Sequence, residues 1–227
     1  MQFLPVRNTR LLSLLQNLTD TFFNDDAVKN ILNNSFKTID QDISEHHPVS
    51  DEYLKKALEL KLKDYGFPRA ANGFGMGKTG PEDNWKDFIP YQVKISSIGK
   101  FLGSPYNALT MLYPNDGYIG WHHNGNASGY NILLTYSQDG NGCFKYYRQK
   151  TKEIIELPDI KGWSAKVGYY PNDRTETEKV YWHSAKTEKA RISIAWILNH
   201  KKMWENMIAD ISNNDFDRQI LKQEHMS

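Results

Sequence analysis

The sequence contains one cysteine, Cys143, among its 227 residues, which excludes a disulfide within the chain and a four-thiolate zinc site. It has no excess of either charge, because 28 Lys and Arg stand against 27 Asp and Glu, for a formal net charge of +1. A chain this close to neutral has no strong nucleic-acid signature. No apolar run approaches the roughly 18 residues that a membrane span needs. We therefore expect a cytoplasmic protein without a membrane segment, and the sequence leaves its oligomeric state open.

Enough apolar side chains are present to build a sizeable core, since hydrophobic residues make up 39% of the chain and aromatic residues 13%. The length fits one domain over residues 1–227. Composition divides this domain into an N-terminal helical support over 1–88, a β-rich core over 89–200 and a C-terminal helix over 201–227.

Apolar residues recur at helical spacing on both sides of the β-rich core. They predict an amphipathic helix from Thr9 to Phe23, which two consecutive aspartates then interrupt. A serine followed by two acidic residues is a typical helix start, and it opens a second predicted helix over 50–65. The helical pattern returns after Asn199. We expect these helices to support one sheet of the core.

The β-rich core alternates short runs of β-branched and aromatic residues with turn signals, and it shows no intervening helices. This texture predicts a mainly β protein with flanking helices, of the α+β class, whose core is an antiparallel sandwich or barrel. The predicted strands are Tyr91 to Ile95, Ala108 to Tyr113, Tyr130 to Tyr136, Gly142 to Tyr147, Glu153 to Leu157, Ser164 to Tyr169, Lys179 to Trp182 and Arg191 to Leu198.

Two histidines stand out as candidate metal ligands. His122 and His183 each lie beside a tryptophan at the edge of a predicted strand, 61 residues apart. His123 follows His122 directly, and because neighbouring strand residues point to opposite faces, we expect His123 to face away from any metal that His122 binds.

An arginine opens the most apolar strand of the chain, in the sequence Arg191-Ile-Ser193. A buried guanidinium without a negative partner is costly. No acidic residue near it in sequence supplies such a partner, whereas an organic dicarboxylate would fit the bidentate geometry of arginine. Arg191 and Ser193 are therefore candidates for binding a carboxylate.

The order and spacing of these residues resemble the iron(II)- and 2-oxoglutarate-dependent dioxygenases, including their small phage and bacterial members, over roughly residues 91–198. The resemblance implies a double-stranded β-helix, or jelly roll. It implies that His122 and His183 bind iron and that Arg191 and Ser193 bind the distal carboxylate of 2-oxoglutarate. By the same resemblance, Tyr113 would hydrogen-bond that cosubstrate.

The sequence departs from this family at the third metal ligand. Two residues after His122 the family has Asp or Glu, and this chain has Asn124. Asn124 could bind iron through its amide oxygen or leave that position to water. The gap could instead hold chloride, as in the radical halogenases of the superfamily. A distant acid such as Asp116 or Asp139 could reach the metal, or the site could be inactive.

The resemblance implies an oxygenase that uses Fe(II), 2-oxoglutarate and O₂ to hydroxylate an unactivated C–H bond, releasing succinate and CO₂. Its substrate would be a small molecule, an amino-acid side chain or a nucleobase. We expect Tyr118, Tyr130 and Trp196 near the substrate pocket. The rival hypothesis is a non-catalytic jelly-roll module that binds a ligand or partner, with structural histidines.

Overall fold

The computed structural model describes residues 1–33, 37–60, 68–75, 89–104, 107–125, 128–171 and 180–213. No helix in these ranges is long and apolar enough to span a membrane. The helices are Thr9–Asn24 (α1), Asp26–Asn33 (α2), Asp51–Leu60 (α3), Ile89–Phe101 (α4) and Lys201–Ser212 (α5). The strands are Gln2–Pro5 (β1), Lys37–Thr38 (β2), Ala71–Asn72 (β3), Phe74–Gly75 (β4), Asn107–Tyr113 (β5), Tyr118–His122 (β6), Gly129–Ser137 (β7), Gly142–Arg148 (β8), Glu153–Pro158 (β9), Gly162–Tyr170 (β10), His183–Thr187 (β11) and Arg191–Leu198 (β12).

Two six-stranded antiparallel sheets form the core. The first sheet has the order β1-β10-β7-β12-β5-β4, and the second has the order β2-β3-β6-β11-β8-β9. From β5 to β12 the chain crosses repeatedly between the sheets, so that each sheet receives four of these eight strands. This arrangement is the predicted jelly roll, and the mainly β fold class is confirmed.

The two faces of the first sheet pack against different partners. In β12, Ile192, Ile194 and Trp196 join the large apolar cluster that includes residues of α1, α4 and α5. Ala195 instead joins a smaller cluster between the sheets, which we call the sandwich interior. Because strand side chains alternate, Arg191 and Ser193 face this interior with Ala195. Helices α1, α4 and α5 thus cover the outer face of the first sheet, whereas the helix predicted over 50–65 packs elsewhere, so the expectation that all predicted helices support one sheet was wrong.

The second sheet is covered on its outer face by α3. Tyr53, Leu54 and Ala57 of α3 pack against Trp121 and Trp182. The indole nitrogen of Trp121 donates a hydrogen bond to the carbonyl oxygen of Ser50, 2.9 Å away. This contact ties the start of α3 to the end of β6, next to His122.

Several predicted elements were wrong. Residues 91–95 belong to α4, not to a strand, because Tyr91, Ile95 and Ile98 share one buried helical face. Residues 180–182 precede β11 without regular structure, so the strand predicted at 179–182 begins only at His183. Asp25 alone separates α1 from α2, a helix that the sequence pattern did not predict and that begins at Asp26. The predicted helical residues 61–65 and 214–227 lie outside the described residues.

Candidate functional site

A β-bulge in β6 directs His122 into the sandwich interior. Between β6 and β11, His122 pairs with His183 and Ile119 pairs with Ala185, so three steps along β6 match two along β11. Ile119 faces the interior and Trp121 faces α3. Without a bulge, strict alternation of the same residues from Ile119 would place Trp121 inside and His122 outside. The bulge therefore puts both histidines on the interior face.

The two imidazole rings are neighbours across the strand pair. Their centres lie 4.2 Å apart, and their planes are inclined by 51°. Two imidazoles that bind one ion from adjacent corners of an octahedron, with metal–nitrogen distances of about 2.1 Å, have ring centres about 4.7 Å apart. The spacing of His122 and His183 is close to this value, so one metal ion can bind both.

Backbone carbonyl groups determine which nitrogen of each ring is protonated. His122 Nδ1 lies 2.8 Å from the carbonyl oxygen of Gly120, and His183 Nδ1 lies 2.9 Å from that of Tyr181. A carbonyl oxygen only accepts hydrogen bonds, so each Nδ1 carries the proton and donates it. Each Nε2 then keeps a lone pair, which is the form in which histidine binds a metal.

Burial keeps both rings neutral. His122 and His183 are 4% and 7% exposed, and the rings of Phe144 and Tyr170 pack against His183. Burial lowers the pKa of His183 to about 4. Burial, together with the charge that His183 would carry, lowers the pKa of His122 well below its usual range. Neither ring has to lose a proton to bind a metal at neutral pH.

His123 and Asn124, the two residues after His122, lie in different surroundings. His123 lies on the opposite side of the strand, where its ring meets the edge of Trp182 at 5.0 Å and its Nδ1 accepts a hydrogen bond from the backbone N–H of Gly125. Its ring thus contacts Trp182, which packs under α3. Asn124 lies in the loop just beyond β6 and is half-buried.

No third protein ligand is evident in the described ranges, where no group of three His, Cys, Asp or Glu side chains could hold a metal. Asp116 is exposed before the start of β6, about 13 Å or more from His122 at a rise of about 3.3 Å per residue. Asp139 lies in the β7–β8 turn, and its carboxylate accepts the backbone N–H of Asn141. The suggestion that either acid reaches the metal was wrong.

The structure brings the three predicted carboxylate-binding residues together. Arg191 Nη1 donates to Ser193 Oγ over 2.7 Å, and the Arg191 guanidinium lies 5.3 Å from the centre of the Tyr113 ring. Burial raises the pKa of the Tyr113 phenol, although the charge of Arg191 and a hydrogen bond with Ser193 oppose this increase. By reaching Ser193, the guanidinium extends away from the β11–β12 turn and towards the end of the sandwich that contains His183.

Sequence reasoning missed the negative partner of Arg191. Asp159 lies where the chain crosses from β9 to β10, and its Oδ2 accepts from Arg191 Nε over 2.9 Å. Its Oδ1 accepts from Lys166 Nζ over 2.5 Å. Among the described residues close to Arg191 in sequence, no acid pairs with it, as expected, but Asp159, 32 residues away, supplies the negative partner that we assigned to an organic dicarboxylate. A visible signal was Lys166, since a lysine in the middle of an apolar strand needs a buried partner.

Two positive groups share this one carboxylate, and all three side chains are at most 1% exposed. Burial opposes ionisation of Asp159, but the charges of Arg191 and Lys166 outweigh it and lower its pKa. Burial lowers the pKa of Lys166 against the attraction of Asp159. The cluster formed by Asp159, Lys166 and Arg191, which we call the buried ion triad, has a net charge of +1 when all three groups are ionised. One negative ligand would neutralise it.

The predicted pocket residues do not line this interior. Tyr118 packs with Val49 and Ala70 in a separate small cluster. Tyr130 and Trp196 belong to the apolar cluster under the helices. The expectation that they flank the substrate was wrong, because they lie on the outer faces of their strands.

No protein-family model matches this sequence, and no curated protein matches it. Among solved structures, the chain is similar to a Pseudomonas putida prolyl-4-hydroxylase, with 11% identity, a TM-score of 0.38 and coverage of 83% of this chain and 88% of that one. It is similar to a full-length Neurospora crassa protein in complex with alpha-KG, with 12% identity, a TM-score of 0.27 and coverage of 85% and 72%. A carbohydrate-binding module, the C-terminal CBM6 of LamC from Zobellia galactanivorans, matches at 13% identity and a TM-score of 0.24, with coverage of 39% and 77%. Likeness at these levels decides nothing about function.

Proposed function

We propose that this protein is an Fe(II)- and 2-oxoglutarate-dependent oxygenase that hydroxylates an unactivated C–H bond and releases succinate and CO₂. The observation that carries the proposal is the histidine pair, in which both Nδ1 atoms donate to backbone carbonyls and both Nε2 lone pairs belong to adjacent, buried rings. In both rings the nitrogen left without a proton is Nε2, the atom that would bind the metal. The donor set fits two ligands of a facial iron site.

Each residue has a distinct part in the proposed reaction. His122 and His183 hold the metal, and the aromatic rings around His183 exclude water from it. Arg191, Ser193 and Tyr113 bind the distal carboxylate of 2-oxoglutarate and so orient its 2-oxo acid end. When bound, iron and 2-oxoglutarate supply the activation of O₂, which no side chain of the chain could provide. The substrate of this proposal is a small molecule, an amino-acid side chain or a nucleobase.

The third metal position separates hydroxylation from halogenation. In the proposed hydroxylase, Asn124 or water occupies it. The lack of a nearby carboxylate in the described ranges favours one alternative, in which chloride binds there and is transferred to the substrate. The two versions share every other residue of the site.

An anaerobic titration tests the proposal. The metal-free protein is mixed with Fe(II) and 2-oxoglutarate, with and without chloride, and the visible charge-transfer band of chelated 2-oxoglutarate is recorded. We expect a band only when both components are present. A shift of the band with chloride would support the halogenase version, and no band under any condition would overturn the oxygenase in favour of a binding module.

Adjacent histidines provide a matched control. His122→Gln removes an inward-facing ligand and should abolish the band. His123→Gln changes the same residue type one position later, on the side that packs against Trp182, and should leave the band in place. Equal loss in both variants would mean that the loss reflects damage to the fold, and that His122 has no special role.

A further inference from the structure

A row of three hydroxyl side chains crosses the interior face of the first sheet. Ser164 of β10 pairs with Thr135 of β7, and Thr135 pairs with Ser193 of β12 on its other side. All three are at most 1% exposed. Such cross-strand partners have Cβ atoms about 5 Å apart, so their hydroxyl groups are near neighbours.

The orientation of this row follows from the residues on either side. Leu134 and Ala165 pack into the apolar cluster under the helices, so Thr135 and Ser164 point the other way, into the sandwich interior. Lys166 lies two residues beyond Ser164 on the same face of β10. The row therefore borders the buried ion triad.

Polar atoms of this region remain without a partner in the described part of the chain. They are Thr135 Oγ1, Ser164 Oγ and Arg191 Nη2. Buried polar atoms are nearly always hydrogen-bonded, because an unpaired one destabilises the protein. A guanidinium nitrogen only donates, and a hydroxyl can donate. A group that accepts several hydrogen bonds would satisfy all three atoms.

Charge identifies the class of that group. Lys166 and Arg191 share the single carboxylate of Asp159, which leaves one positive charge buried. A carboxylate both neutralises this charge and accepts the free hydrogen bonds. We infer that Thr135 and Ser164 are binding residues of a buried carboxylate site that extends from Arg191 and Ser193, with Lys166 and Asp159 as its positioning residues. That this carboxylate is the distal one of 2-oxoglutarate rests on the proposed function.

Asp159 positions the guanidinium by occupying its Nε side. Arg191 Nε donates to Asp159 and Nη1 donates to Ser193, so the free Nη2 is held in one place. The ligand meets a donor that is already oriented, which reduces the entropy lost on binding. This site needs no metal to bind a carboxylate.

Glutarate is the probe, because it has the two carboxylates of 2-oxoglutarate but lacks the oxo group needed for chelation. Its affinity is measured by calorimetry with metal-free protein in the presence of a chelator, and the uncharged diamide glutaramide is the control ligand. We expect glutarate to bind and glutaramide not to bind. Absence of glutarate binding would overturn the site.

Three variants test the hydroxyl row. Thr135→Val and Ser164→Ala each remove one hydroxyl and should raise the Kd of glutarate about tenfold, since a hydrogen bond to a charged group is lost. Thr110→Val is the matched control, because Thr110 is a buried threonine of β5 that bonds to Asn107 and faces away from the interior. Unchanged affinity in both Thr135→Val and Ser164→Ala would overturn the inference.

Thermal unfolding separates binding from a structural role. Without ligand, Thr135→Val should be at least as stable as wild type, because the removed hydroxyl has no partner to lose. Marked destabilisation of this variant would mean that its hydroxyl supports the fold. Glutarate binding through the row without an iron band would refute the proposed oxygenase and leave this site. If instead the iron and 2-oxoglutarate band appears and is unaffected by Thr135→Val and Ser164→Ala, the proposed oxygenase stands and the role of the hydroxyl row in binding is refuted.

Discussion

Replacing Asp159 by Asn should strongly destabilise the protein. The substitution is almost isosteric, so it opens no cavity, but it removes the only negative charge of the buried ion triad. Lys166 and Arg191, whose side chains are 0% and 1% exposed, would then face each other without compensation. The cost is therefore electrostatic.

The expected loss can be bounded from the burial of the two cations. Removing one partner of a fully buried ion pair typically costs about 3–5 kcal/mol in unfolding free energy. For a chain of this length, each kcal/mol lowers the melting temperature by about 2–4 °C, so Asp159→Asn should melt about 6–20 °C below wild type.

Urea denaturation at neutral pH measures the effect against a control at the start of β9, the strand that Asp159 follows. Glu153, at the start of β9, pairs with Arg148 over 3.5 Å, and the two side chains are 57% and 48% exposed. Glu153→Gln should cost at most about 1 kcal/mol, since an exposed pair is screened by water.

Lys166→Met should give a loss of stability between those of the other two variants. It leaves Asp159 and Arg191 as a balanced pair, so its cost should lie between those of Asp159→Asn and Glu153→Gln. A loss for Asp159→Asn no larger than that for Glu153→Gln would refute the reasoning, because it would mean that the triad is not desolvated.

Three further outcomes are expected. Gly142→Ala should lower the free energy of unfolding by about 1–3 kcal/mol in urea denaturation, because the added carbon would lie 2.6 Å from the carboxylate of Asp159. Gly75→Ala is the control and should cost less, because its added carbon meets no atom closer than 4.0 Å. Equal costs of the two variants would contradict this reasoning. The metal-free protein should lose stability as the pH falls from 6.5 towards about 4, since burial lowers the pKa of His183 to about 4 and the unfolded chain binds the extra proton in that interval. Because the pKa of His122 is lowered as well, the slope should approach about 2.7 kcal/mol per pH unit in wild type and about half of that in His183→Gln, and a flat wild-type profile would refute it. Asn124→Asp should tighten Fe(II) binding in anaerobic titrations, because a carboxylate is a stronger ligand than an amide; an unchanged Kd would mean that residue 124 does not face the metal.

The jelly-roll core could be predicted from local sequence because its strands alternate regularly between two faces. β7, β8, β9 and β12 were predicted to within a few residues. The segment at Tyr91 failed because its apolar residues alternate over five positions like a strand, and only the continuation to Ile98 shows the helical period. The segment at Trp182 also reads as a strand, but Val180 and Trp182 pack with α3 without joining a sheet.

Some residues of the candidate site could likewise be predicted from the sequence, and others could not. His122, His183 and Arg191 were visible because their residue types and order are distinctive. Asp159 could not be assigned, because it lies 32 residues before Arg191 and meets it only through the crossover between the sheets. Thr135 and Ser164 are ordinary residues in sequence, and only the strand register aligns them with Ser193. Long-range pairing, not local pattern, supplies this part of the site.

Because β6 contains an extra residue, the direction of His122 on its inner side does not depend on which side chain packs on its outer side. Trp121 can be exchanged for another large side chain under α3 without turning His122, because the bulge and not the tryptophan sets the phase of the strand. Loss of one residue between Ile119 and His122 is a different kind of change. It would remove the bulge, but strict alternation from Ile119 would still place His122 on the interior face, opposite His183. The direction of His122 would therefore survive a single in-frame codon deletion at that point.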